Sequence, residues 1–122
     1  RRIMLGTFVL SSGYYDQYYG RATQVRELMC SQVQTLLDEF DLILGPTSPV
    51  PPFRFGEKTA DPLTMYLTDL CSVLANLTYT PAISIPGKPT ASGLPVGVQL
   101  MGRRFEDQRL LAIASLLQGL DS

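Results

Sequence analysis

Histidine is absent from the 122 residues, so this chain alone holds neither a Ser-His-Asp nor a Cys-His relay, and no imidazole for a metal. Chemistry must come from other groups. Asp69 is the most informative of them. Tyr66, Leu70, Val73 and Leu77 recur at helical spacing, and Asp69 falls between Tyr66 and Val73 on that apolar face. A carboxylate there requires compensation, either an arginine from another element or a cationic ligand at a pocket edge. Arg2, next to the apolar Ile3-Met4-Leu5, offers a guanidinium fork for a carboxylate, whether that of Asp69 or that of a small acid. A terminal Arg-Arg pair also reads simply as a solvated end. Together, a fixed cation and a fixed anion are what a zwitterionic amino acid needs once water is removed from its two ends. Arg2 and Asp69 are therefore the candidate substrate-binding pair, and no catalytic or metal-ligating residue is assigned.

The remaining reactive groups point to structure. Cys30 and Cys71 lie far apart in helical patterns, which excludes a CxxC redox pair and predicts two buried thiols. Gly45-Pro46-Thr47-Ser48-Pro49 follows a strand and resembles a turn presenting a hydroxyl, yet no His or nearby Lys would activate Thr47 or Ser48. Lys58 and Lys88 are the only lysines and sit in loops. Gly93-Leu94-Pro95-Val96-Gly97 lacks phosphate-loop spacing, so its glycines serve a turn and close strand packing. Tyr14, Tyr15, Tyr18 and Tyr19 lack the basic surround of a base-stacking platform and read as core.

These residues need a scaffold. Ile3 to Leu10 predicts a short helix ended by Ser11-Ser12-Gly13. Tyr18, Ala22, Val25, Met29, Val33, Leu36 and Phe40 recur with the 3.6 period, predicting a long amphipathic helix over Tyr14 to Phe40 in which Gly20 is a point of bending. Asp41 to Leu44 reads as a buried strand closed by Gly45-Pro46, and Thr47 to Ala60 as an ordered, proline-bearing loop. Asp61-Pro62 opens a helix over Leu63 to Leu77. Pro81 to Pro86 and Pro95 to Met101 read as buried strands. The linker between them, Gly87 to Leu94, is too short for a helical crossover, so they run antiparallel or use a neighbour outside this chain. A last helix, capped at Glu106 or Asp107, carries a Leu110, Ala114 and Leu117 stripe widened by Leu111 and Ile113. The expected class is α/β, helices packed on a mixed sheet.

Composition narrows the function classes. A hydrophobic fraction of 45% and a charged fraction of 17% describe a globular chain. The formal charge of -1 comes with basic residues scattered from Arg1 to Arg109, which argues against a nucleic-acid surface. No apolar run reaches the length of a membrane span, and the first residues lack a signal-peptide core, so a soluble, cytoplasmic protein is expected. No initiating methionine precedes Arg1-Arg2, which predicts that the chain is a fragment.

Several strings then combine: Arg1-Arg2-Ile3-Met4-Leu5-Gly6-Thr7, Ser11-Ser12-Gly13-Tyr14-Tyr15-Asp16, Gly45-Pro46-Thr47, Gly56-Glu57-Lys58, Asp61-Pro62-Leu63-Thr64-Met65-Tyr66, Pro81-Ala82-Ile83-Ser84-Ile85-Pro86, and Gly93-Leu94-Pro95-Val96-Gly97-Val98-Gln99-Leu100. In this combination the chain resembles the amidase-signature family, and within it the glutaminase component of the tRNA-dependent amidotransferases. The resemblance implies that residues 1–122 are the C-terminal portion of a single amidase-signature domain. It implies a glutaminase that supplies ammonia for converting Glu-tRNA(Gln) or Asp-tRNA(Asn), in complex with the B and C components of the amidotransferase. The aminoacyl-tRNA is then met only through the B component, which uses ATP and Mg. By the same resemblance Arg2 matches the arginine that holds the glutamine carboxylate and Asp69 the aspartate that holds its amino group. The family's two serines and its lysine belong to a Gly/Ser-rich segment and an upstream lysine that this sequence lacks, so the chain alone is expected to be inactive. Two departures stand out. Asn76-Leu77-Thr78-Tyr79-Thr80-Pro81 replaces the family's Asn-Leu-Ala-Gly-Leu-Pro, and Gly87 follows Pro86 where cysteine is frequent. The alternatives are a stand-alone amidase and a non-catalytic scaffold of the same fold.

Overall fold

The computed structural model describes residues 2–9, 15–56 and 62–120. Arg1, the Ser11-Ser12-Gly13 cap, Tyr14, Lys58 and the Asp61 cap lie outside the described residues. In chain order the elements are α1 (Arg2–Val9), a π-helical turn (Tyr15–Gly20), α2 (Arg21–Glu39), β1 (Ile43–Pro46), α3 (Pro62–Thr68), α4 (Leu70–Thr78), β2 (Ala82–Pro86), β3 (Gly97–Met101) and α5 (Asp107–Leu120).

The long helix is present, with one change at its start. Tyr15–Gly20 winds as a π-helix before α2 takes over, and Gly20 keeps a helical φ of -59° and ψ of -46° at the join. The buried seam of α2 is Val33 and Leu37, an i, i+4 pair, whereas Leu36 and Phe40 are exposed. The stripe read from spacing is therefore rotated by about one residue, a shift the apolar pattern cannot resolve because Leu36 and Leu37 are equally hydrophobic.

The sheet has three strands in the order β1-β3-β2. β3 pairs antiparallel with both neighbours, Leu44 and Ile83 standing opposite Leu100 on either side. The expected antiparallel relation of the last two strands holds, and all pairings among the described residues are antiparallel. β1 begins two residues later than expected and runs through Gly45-Pro46. Proline is tolerated there because β1 is an edge strand and the missing N–H removes no rung from the ladder. The loop from Gly87 to Val96 closes the hairpin through Gly87 N–H to Val96 O at 2.8 Å and Thr90 N–H to Leu94 O at 2.9 Å.

α5 covers one face of this sheet. Leu110 and Ala114 join Ile85 and Leu100 in the core, with Leu42, Ile83, Val98 and Leu117 packed around them. Leu111, expected to widen the stripe, faces outward. The helix starts where Glu106 O accepts the Leu110 N–H at 3.0 Å. Side-chain alternation puts Thr47, Ser84, Gly97 and Gln99 on the opposite sheet face.

The helix expected over Leu63 to Leu77 is broken in two at Asp69, whose φ of -89° and ψ of -1° lie in the bridge region. Asp69 N–H bonds to Tyr66 O, and Asp69 O accepts from both Ser72 and Val73, each at 3.1 Å, so the path tightens by one turn and restarts. α4 packs on α2 and ends at Tyr79, which adopts a left-handed φ of 59° and donates its N–H to Ala75 O. A helix commonly stops with such a residue, usually glycine.

Candidate functional site

Of the two sequence-predicted site residues, Arg2 opens α1, and its side chain lies outside the described residues. Asp69 occupies the break between α3 and α4 with its side chain exposed and making no cap hydrogen bond. The expected burial of this carboxylate is not met. The face it shares is itself open, with Tyr66 51%, Leu70 64%, Val73 41% and Leu77 37% exposed. The described residues cover that stripe only in part, so Asp69 meets water where the apolar pattern implied an interior.

A second constellation involves residues whose types alone suggest only structure. Thr47, just past β1, and Ser84, on β2, are separated by the central strand, yet Thr47 Oγ1 and Ser84 Oγ lie 2.6 Å apart. They meet because Gly97 stands between them: a Cβ built on Gly97 would fall 2.6 Å from both hydroxyl oxygens. Thr47 N–H also donates to Gly97 O at 3.0 Å, fixing the strand end against β3.

This hydroxyl pair lies in the wall of a cleft of about 720 Å³ whose other lining includes Pro46, Pro49, Pro51, Pro86 and Pro95. Prolines carry no N–H, so the polar side chains of this lining are the hydroxyls of Thr47, Ser48 and Ser84. Ser84 interrupts an otherwise apolar run, Ala82-Ile83-Ser84-Ile85, and that interruption is the signal available in the sequence. Its partner is not legible there, since residues 37 positions apart are joined only by the sheet register.

The other candidates fall away as sites. Cys30 and Cys71 are free and only half-buried, not fully buried as expected, and Cys30 Sγ contacts Leu77 O at 3.6 Å. Lys88 lies in the hairpin loop, as expected. Among the described residues no group of three or more Cys, Asp or Glu side chains gathers as a metal site, and no helix is long and apolar enough to cross a membrane.

Comparison with known proteins agrees with this architecture. The family model described as Amidase matches residues 1–111. The chain is 50% identical over 114 residues to the A component of the glutamyl-tRNA(Gln) amidotransferase of Oceanobacillus iheyensis, covering 93% of this chain and 23% of that protein. It is 52% identical over 118 residues to the protein of the same name from Chlorobium chlorochromatii, covering 97% and 25%. The chain thus spans about a quarter of the length of these relatives. Among solved structures, the A component of the Thermotoga maritima glutamyl-tRNA(Gln) amidotransferase superposes with a TM-score of 0.72 at 50% identity, over 88% of this chain and 23% of that one. Allophanate hydrolase from Kluyveromyces lactis also gives 0.72, at 25% identity, over 93% and 18%. With its helices, its antiparallel sheet and a family match over residues 1–111, the chain belongs to the amidase family.

Proposed function

We propose that residues 1–122 form the C-terminal portion of a single amidase-signature domain in the glutaminase component of a tRNA-dependent amidotransferase, and that this portion supplies glutamine-binding groups. The observation that carries the reading is identity of about half the residues, over more than nine-tenths of the chain, with relatives named as the A component of glutamyl-tRNA(Gln) amidotransferase.

In this reading Arg2 takes the glutamine α-carboxylate through a bidentate fork, and Asp69 takes the α-ammonium. Both charges are matched, so the amino acid is held at the end remote from its carboxamide. That grip orients the carboxamide toward a serine nucleophile contributed by the rest of the domain. Serine attack expels ammonia and leaves a glutamyl ester, which water cleaves to glutamate. The exposed apolar stripe around Asp69 is covered by the rest of the domain, which dries the carboxylate and strengthens its hold on an ammonium. The B and C components complete the complex, with ATP, Mg and the aminoacyl-tRNA handled by the B component in the cytoplasm.

The test is substrate preference in the full-length protein purified with its partner proteins. Ammonia release from glutamine well above that from an aliphatic amide supports the reading. The reverse preference would make the protein a stand-alone amidase, and no turnover of either would make it a scaffold. The 122-residue chain alone is expected to release no ammonia.

A further inference from the structure

Asp69 stands at the N-cap of α4, yet its carboxylate does not cap that helix. Aspartate is among the strongest N-cap residues, and it caps from an extended backbone, its side chain accepting the N–H of the second or third helical residue. Here φ is -89° and ψ is -1°, a near-helical setting in place of the extended one. The N–H of the third helical residue, Ser72, is bonded to the carbonyl oxygen of Asp69 itself at 3.1 Å. The main chain thus makes the cap, and the carboxylate is left out of it.

Two hydroxyls hold this arrangement, one on each side of the break. Ser72 Oγ donates to Asp69 O at 3.0 Å, a second bond from the same residue to the carbonyl whose direction ψ of Asp69 sets. Thr68 Oγ1 donates to Met65 O at 2.6 Å, the carbonyl that the Asp69 N–H would meet in an uninterrupted helix, and the Asp69 N–H bonds to Tyr66 O instead. Back-bonds of this kind from serine and threonine bend helices. Thr68 and Ser72 lie four residues apart, on one side of the path, and both are half-buried where Asp69 is exposed. All of these bonds run between residues 65 and 73, so the arrangement is local.

We propose that Thr68 and Ser72 are positioning residues for the substrate ammonium: their hydroxyls hold the break, and the break keeps the Asp69 carboxylate from closing onto the start of α4. Were ψ of Asp69 to turn extended, the carboxylate would accept the Ser72 N–H and use on the helix the charge-assisted bond that it otherwise gives to a ligand. A capping carboxylate is also partly compensated by the positive end of the helix dipole, which weakens its pull on a cation. The inference rests on the reading that Asp69 holds the glutamine α-ammonium, and it adds two residues that act only through Asp69.

The test is ammonia release from glutamine by the full-length protein purified with its partner proteins. Ser72→Ala is expected to raise the KM for glutamine about fivefold, the size of one hydrogen bond, with kcat changed by less than about twofold. Alanine favours a helix, so such a rise does not report a melted α4. Ser72→Thr keeps the hydroxyl and should restore KM, and Thr68→Val combined with Ser72→Ala should raise it roughly tenfold. In an Asp69→Asn background there is no carboxylate to position, and Ser72→Ala should change KM by less than about twofold. An equal rise in both backgrounds would show a general packing role and overturn the proposal. So would an unaltered KM in the Thr68→Val/Ser72→Ala variant beside a raised KM in Asp69→Asn, which would leave the glutamine reading standing. An unaltered KM in Asp69→Asn itself would overturn that reading and the proposal together.

Discussion

Arg103 Nε donates to the carbonyl oxygen of Leu37 at 2.6 Å, joining the turn before α5 to the last turn of α2 across 66 positions of sequence. Carbonyls in the final turn of a helix have no partner within the helix, and a cation there also suits the negative end of its dipole. Arg103→Met keeps most of the side-chain length and removes the donor. A loss of about 1–3 kcal/mol is expected, read as a lower urea midpoint with an unchanged slope. Arg103→Lys should fall between the two.

The contact of Thr47 with Ser84 depends on the bare backbone at Gly97. In Gly97→Ala the new methyl lies 3.0 Å from Thr47 Cβ as well as 2.6 Å from each hydroxyl, so the strand ends must separate. A destabilisation of about 1–3 kcal/mol follows from forcing such overlap. Adding Ser84→Ala should recover part of it, and a double variant whose loss equals the sum of the singles would show that the two positions do not touch.

Arg109 bridges Asp41, on the approach to β1, and Glu106, ahead of α5. Hydrogen bonds to Glu106 and then to Asp41 raise its pKa above the ordinary guanidinium value. A folded-state pKa that is raised adds stability in full below the unfolded value and loses it only as pH climbs through the folded one. The gap between wild type and Arg109→Gln should accordingly stay constant from about pH 6 to pH 10. All of these groups are exposed, so the gap should be small and should close in high salt.

Asp69→Asn separates ligand binding from folding. Because the carboxylate is exposed and makes no cap bond, stability should change by less than about 0.5 kcal/mol. Under the proposed function, the same change in the full-length protein should raise the KM for glutamine by roughly tenfold or more with a much smaller effect on kcat, since a neutral amide cannot match an ammonium. Unaltered KM would remove Asp69 from the site, and a large fall in thermal midpoint would make it a structural residue.

How much is legible in the sequence depends on whether a residue's role is local. The α5 stripe of Leu110, Ala114 and Leu117 and the antiparallel hairpin follow from period and linker length, which need only neighbouring residues. The break at Asp69 is hidden because Leu63 to Leu77 contains no glycine or proline to mark it, while the backbone there tightens through Tyr66 and restarts at Ser72 and Val73. Burial of Asp69 fails as an expectation because periodicity identifies an apolar face without supplying what covers it. The Thr47, Ser84 and Gly97 cluster is invisible for another reason: its members meet through register across β3, a relation that no window of adjacent residues contains. The capping position at Tyr79 is legible only as a departure from the family's glycine. What holds an aromatic ring there, two arginines from α2 and the turn before α5, is a contact between elements distant in the chain.

The order β1-β3-β2 also ranks the loop closures that the sheet requires. β2 and β3 are neighbours in the chain and close over a short loop, on the scale of microseconds for a hairpin. β1 must instead find β3 from a distant stretch of chain, with α3 and α4 intervening, and loop-closure entropy opposes that step until contacts with Leu100 reward it. Loop closure thus favours the β2–β3 pairing over the β1–β3 pairing as the earlier one, and Gly97, bare on β3, leaves the room that Thr47 needs when β1 joins.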